Sequence, residues 1–220
     1  LLRNMVLTEG QELDNGVAQK RGVPSYIFQA LTGFPMEVWN PCFHRPWASF
    51  TIIGLTLLIG LIQILSPNID AHLVTKLGMF PDQISQGGSL YTLVTSSFLH
   101  ADYMHLFGNL WFLYIFGDNV EDFVRPFKFL LIFFVAVIVG SLAQVLSDPS
   151  SAIPVIGASG GVAGLMGAYL VLFPDVKLHQ VIAFFRFQIR VYWFIGIWFL
   201  YNLAMSFSTE SSIAWYAHIA

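Results

Sequence analysis

The chain has 220 residues, 56% of them hydrophobic and only 10% charged, with 21 Phe, 6 Trp and a mean hydropathy of +0.67. A soluble domain carries about 25% charged residues, so this composition excludes an ordinary water-soluble enzyme and describes a membrane protein. The formal net charge of −3 offers no basic surface for nucleic acid, and the single cysteine, Cys42, excludes an internal disulfide framework.

Residues 1–47 form a cytoplasmic or interfacial N-terminal region. The first two dozen are polar and weakly patterned, without a signal-peptide or organelle-targeting pattern. From Pro24 to Trp47 the composition turns aromatic, with Tyr26, Phe28, Phe34, Trp39, Phe43 and Trp47, which suits a segment lying at a membrane interface. Cys42, in the same region, has no Cys/His ligand spacing around it, so neither a metal nor another cofactor is expected.

Apolar stretches approaching the roughly 20 residues needed to cross a bilayer follow. They run about Ala48–Ser66, Tyr103–Gly117, Phe129–Leu146, Ile156–Phe173 and Val191–Ser206. The second is short, and its start is expected inside the preceding loop. A sixth begins near Ser211 and reaches half a span at Ala220; with Leu1 in place of Met, this predicts a natural chain longer at both ends. The expected architecture is all-α: a polytopic bundle of six transmembrane helices over residues 48–220, the last one truncated.

Lys and Arg set the orientation. Arg3, Lys20, Arg21 and Arg45 precede the first span, Arg125 and Lys128 lie between spans two and three, and Lys177, Arg186 and Arg190 lie between four and five; only Lys76 falls on the other side. This asymmetry places the N-terminus in the cytoplasm and turns the long loop Pro67–Leu99 outward. The start of span four then lies near the outer face.

Polar side chains inside spans are costly and point to function. His105 and Asn109 are four residues apart, so both sit on one helical face and can aim hydrogen-bond donors at one point, with His100 just upstream. Either could instead satisfy a buried carbonyl. Span four opens as Gly157-Ala-Ser-Gly160. Its small residues at four-residue spacing serve close helix packing equally well, but packing does not explain Ser159 at a helix start, where free N–H groups favour a developing oxyanion. His218 stands in the last segment beside Ala214 and Ala217. Alone it could be a polar helix contact; a neutral imidazole is also the usual base for a serine. Together these residues supply nucleophile, base and oxyanion stabiliser for acyl transfer, with no carboxylate among them, hence a dyad.

These residues resemble the rhomboid intramembrane serine proteases, from about the first span to the C-terminus. Gly157-Ala-Ser-Gly160 is similar to the family's GxSG motif, which implies Ser159 as nucleophile with Gly157 and Gly160 supporting it. Ala217-His218 matches the catalytic histidine. His105 and Asn109 match the HxxxN pattern that helps form the oxyanion hole with the Ser159 N–H, and His100 a further, supporting histidine. Phe116-Gly-Asp-Asn-Val-Glu-Asp122 looks like the turn bacterial members carry after span two. The chain departs from the pattern at Tyr91-Thr92, where the family has Trp-Arg, and at Ala163, where some members stack an aromatic on the histidine; the glycine-rich continuation is cut at Ala220.

The resemblance implies an endopeptidase of the bacterial inner membrane that cleaves single-pass or polytopic membrane proteins within the bilayer, near its outer face. The rival from another class is an inactive rhomboid-like protein that binds membrane clients, which should have lost Ser159 or His218. A metalloprotease would need His-Glu-x-x-His, an aspartyl protease paired membrane aspartates, and a transporter a buried charge at the midplane; none is present.

Overall fold

The computed structural model describes residues 23–38, 40–182, 185–207, 216 and 218. The polar lead over residues 1–22, Trp39 and most of the last apolar segment, including Ala214 and Ala217, lie outside the described residues. The chain divides into two compact units: Leu1–Pro41 with Phe173–Phe194, and Cys42–Leu172 with Ile195–Ala220.

In the first unit, helix α1 (Val23–Thr32) lies beside an antiparallel sheet in the order β1 (Met36–Glu37), β2 (Lys177–Ile182), β3 (Phe185–Arg190). The register pairs Met36 with His179 and Lys177 with Arg190. Buried Gln29 of α1 donates to the His179 carbonyl at 2.7 Å, tying helix to sheet. This small sheet adds to the helical architecture read from the sequence. β2 and β3 are rich in Val, Ile and Phe, which favour pleated backbone.

In the second unit, α2 (Trp47–Leu65) and α7 (Pro126–Ser147) are long and apolar enough to cross a membrane. At 1.5 Å per residue they reach about 28 and 33 Å, against a hydrocarbon core of about 30 Å. α7 is apolar on both faces, unlike a soluble surface helix: Leu131, Val135, Val139, Leu142 and Leu146 are exposed, while Phe129, Phe133, Val137 and Ser141 are buried. α8 (Ser159–Leu172) and α9 (Val191–Ser206) are shorter apolar helices; the first residues of α9 belong to the first unit.

The second span corrects the expectation about its start. Helix α6 runs Tyr103–Val124, beginning at Tyr103 rather than inside the preceding loop and extending past Gly117 instead. Asp102 fixes the start by accepting the N–H groups of Met104 and His105. The far end continues through charged residues because their carboxylates find donors. Buried Glu121 accepts the Ala48 and Ser49 N–H groups at 2.9 and 2.7 Å, satisfying the open start of α2, and Asp122 accepts those of Phe43 and His44.

The long loop between the first two spans is itself folded, as α3 (Pro67–Leu77), α4 (Pro81–Ser85), α5 (Thr92–Thr95) and a 3-10 turn at Ser96–Phe98. At Tyr91-Thr92, where the sequence departs from the resembled pattern, the Tyr91 hydroxyl donates to the Lys76 carbonyl and Thr92 to the Ser89 carbonyl, while Thr95 donates to that of Leu77. Met79, Ile84 and Val145 form a small apolar cluster beneath, joined by Leu93 and Val155.

Candidate active site

A turn before α8 sets the site. Val155 pairs with Met79 as an isolated antiparallel bridge, and the Gly157 N–H donates to the Ser96 carbonyl at 3.0 Å. Gly157 has a φ of +128°, a conformation that resists side chains, and a Cβ there would lie 2.8 Å from Cε1 and Nε2 of His105. The glycine is therefore required twice, by the turn and by the imidazole against it. The chain enters α8 at Ser159, two residues later, so the helix starts after the turn rather than at Ile156. Ser159 stands where backbone N–H groups have no partner within the helix.

Glycines of α8 fix its position. A side chain at Gly161 would strike the Phe133 ring of α7, and one at Gly164 would strike Ala136. Buried Tyr169 meets Phe116 of α6 edge-on, with ring centroids 5.1 Å apart. Gly160 lies in the first turn of α8.

His218 Nε2 is 2.8 Å from Ser159 Oγ, although 59 residues separate them. On its other side, Nδ1 of His218 is 2.7 Å from Oδ1 of Asn202 on α9. Asn202 is 2% exposed, and its Nδ2 donates to the Trp198 carbonyl at 2.7 Å. The Trp198 ring stacks on His218, with centroids 6.0 Å apart and planes 23° from parallel. The aromatic partner that Ala163 cannot supply thus comes from α9. Sequence reasoning missed both residues, although an asparagine within an apolar span is the same signal that drew attention to Asn109.

His105, Asn109 and His100 form a second group, linked through His105. The His105 ring lies against Gly157, and the His100 ring meets it in a T-shape at 5.0 Å. Asn109 is buried and gives one Nδ2 hydrogen to the His105 carbonyl at 2.9 Å; an amide carries a second. His100 is buried at the loop before α6, its N–H donating to Gln63 Oε1 and both ring nitrogens without a partner among the described residues. Burial, with the His105 ring adding to it, pulls the His100 pKa down from 6.5 to about 3, so the ring is neutral. No group of metal-ligating side chains occurs among the described residues.

The arrangement has a serine at a helix N-terminus in hydrogen-bond contact with a histidine, and the His105 ring against the glycine two residues before that serine. Residues 87–220 match the family model described as "Rhomboid domain". Among curated proteins, the chain is 43% identical over 75 residues to Rhomboid-like protein 11, chloroplastic, of Arabidopsis thaliana, covering 34% of this chain. It is 30% identical over 127 residues, 57% of this chain, to Rhomboid protease GluP of Bacillus subtilis, and 33% identical over 79 residues, 36% of this chain, to Rhomboid-related protein 2 of Mus musculus. The matches span only 24% to 26% of the length of these three relatives.

Proposed function

This chain belongs to the rhomboid family, and from that premise we propose that it is an intramembrane serine endopeptidase, with Ser159 as nucleophile and His218 as base. The observation that carries the reading is the 2.8 Å contact between His218 Nε2 and Ser159 Oγ. His218 takes the Ser159 proton as Oγ attacks a peptide carbonyl; the oxyanion is held by the Ser159 N–H, His105 and the second Nδ2 hydrogen of Asn109. His218 gives the proton to the departing amine as the peptide C–N bond breaks, and water, deprotonated by the same histidine, then hydrolyses the acyl-enzyme. One oxyanion donor is typically worth about 3 to 4 kcal/mol of barrier. No metal or cofactor enters these steps.

The substrates are transmembrane segments of single-pass or polytopic membrane proteins. A helical substrate hides its carbonyls in hydrogen bonds, so it must unwind where it is cut, which favours helix-weakening and small residues there. The distribution of Lys and Arg supports a cytoplasmic N-terminus and a site near the outer face. We assign a bacterial plasma membrane from the resemblance.

The test is reaction of detergent-solubilised protein with a fluorophosphonate probe. Wild type should label, and folded Ser159→Ala and His218→Ala should not. Absence of labelling in folded wild type would favour the second reading, a client-binding rhomboid-like protein without proteolytic activity. The intact Ser159–His218 contact argues against that reading.

A further inference from the structure

The direction of every hydrogen bond behind Ser159 follows from one end of the chain that makes them. The Trp198 carbonyl can only accept, so the Asn202 amide must turn Nδ2 toward it, at 2.7 Å. That leaves Oδ1, an acceptor without a hydrogen, facing His218 Nδ1 at 2.7 Å. Nδ1 must therefore carry the ring proton. In a neutral imidazole the other nitrogen is then bare, and Nε2 is the atom 2.8 Å from Ser159 Oγ. The amide orientation does not depend on telling oxygen from nitrogen by position, because the backbone carbonyl decides it.

We propose that Asn202 is a positioning residue for this reaction: it holds His218 in the Nδ1–H tautomer and aims Nε2 at Ser159. The proposal rests on reading Ser159 and His218 as nucleophile and base. It adds to the Ser159–His218 dyad a third residue that orients the base without taking a proton. When His218 takes the serine proton, the amide dipole of Asn202 faces the new charge with its negative end. An ionised carboxylate would do this more strongly, but Asn202 is 2% exposed on an apolar helix, where an ion is costly and a neutral amide is not. Placing Trp198 and Asn202 four residues apart on α9 puts the stacking ring and the acceptor on one face.

The experiment compares wild type, Asn202→Leu and Asn202→Asp in detergent by two readouts. One is the second-order rate of fluorophosphonate labelling per folded molecule, with Ser159→Ala as blank. The other is the 15N shift pattern of the His218 ring, assigned by its disappearance in His218→Ala. Asn202→Leu should label about 10- to 100-fold more slowly and lose the pure Nδ1–H pattern. Asn202→Asp, which keeps an oxygen acceptor in either protonation state, should retain that pattern and label within about fivefold of wild type. A purely structural role would lower the melting temperature and leave rate per folded molecule and tautomer unchanged, and that result overturns the proposal. Should Asn202→Leu fail to fold, Asn202→Asp decides: loss of labelling or of the tautomer in folded protein overturns it. If wild type itself does not label, the protease reading falls, while the tautomer comparison still decides whether Asn202 orients His218.

Discussion

The indole of Trp198 lies on the imidazole of His218 at 6.0 Å between centroids, within 23° of parallel. The histidine is thus held in its plane by α9 and along its edge by Asn202 of the same helix. An aromatic pair of this kind contributes about 0.5–1.5 kcal/mol beyond buried area. Trp198→Ala should slow fluorophosphonate labelling about 3- to 10-fold, and Trp198→Phe should recover most of the loss. Equal rates for wild type and Trp198→Ala would show that the stack does nothing for the proposed role of His218.

Gly157→Ala should be disabled. The substitution places a Cβ at φ +128° and 2.8 Å from the His105 ring, so either the turn or the imidazole has to move. We expect a loss of about 1–3 kcal/mol in stability. Labelling should fall further than the unfolded fraction explains, because the shift occurs beside Ser159. Melting temperature and labelling rate measured on one sample separate the two effects.

Glu121 predicts the opposite pattern. Its carboxylate accepts the first N–H groups of α2 in a buried setting remote in sequence from the serine. Glu121→Ala strands those donors and should lower stability by about 1–3 kcal/mol. The labelling rate per folded molecule should stay at the wild-type value; a selective loss of rate would mean that this end of α6 reaches the site.

Stability should fall in mild acid, with His100 contributing. Its folded pKa of about 3 lies below the ordinary 6.5, so the unfolded state binds the extra proton between these values. The contribution is fully present above about pH 6.5 and is lost as pH falls through the window, at up to about 1.4 kcal/mol per unit. In His100→Gln the dependence of melting temperature on pH between 5 and 6.5 should be shallower than in wild type. Identical slopes would mean that the buried ring is not a source of acid sensitivity.

Composition and hydropathy made the spans legible because lipid demands long apolar runs; the readings of Ala48–Ser66 and Val191–Ser206 differ from α2 and α9 by no more than a residue at either end. The same rule cut the second span short, since it treats Asp118, Glu121 and Asp122 as an end. It cannot see that Ala48, Ser49, Phe43 and His44 supply the donors that let α6 continue. In the small sheet, β1 pairs with β2 across more than a hundred residues, a contact no local pattern announces, whereas β2 and β3 form a local hairpin whose short run reads in the sequence as a connection between spans. At the site, Ser159 and His218 stood in recognisable short motifs. Asn202 and Trp198 did not; the asparagine was a polar signal in an apolar span, but which groups it and Trp198 face is what a single sequence does not carry.

The seam between α7 and α8 closes one direction of approach. Phe133 and Ala136 sit where Gly161 and Gly164 have no side chain, leaving less space than a single methyl group would need. No polypeptide can thread between these two helices. Along that stretch the pair is closed, so the strand that the proposed protease would cut must reach Ser159 from another quarter of the bundle.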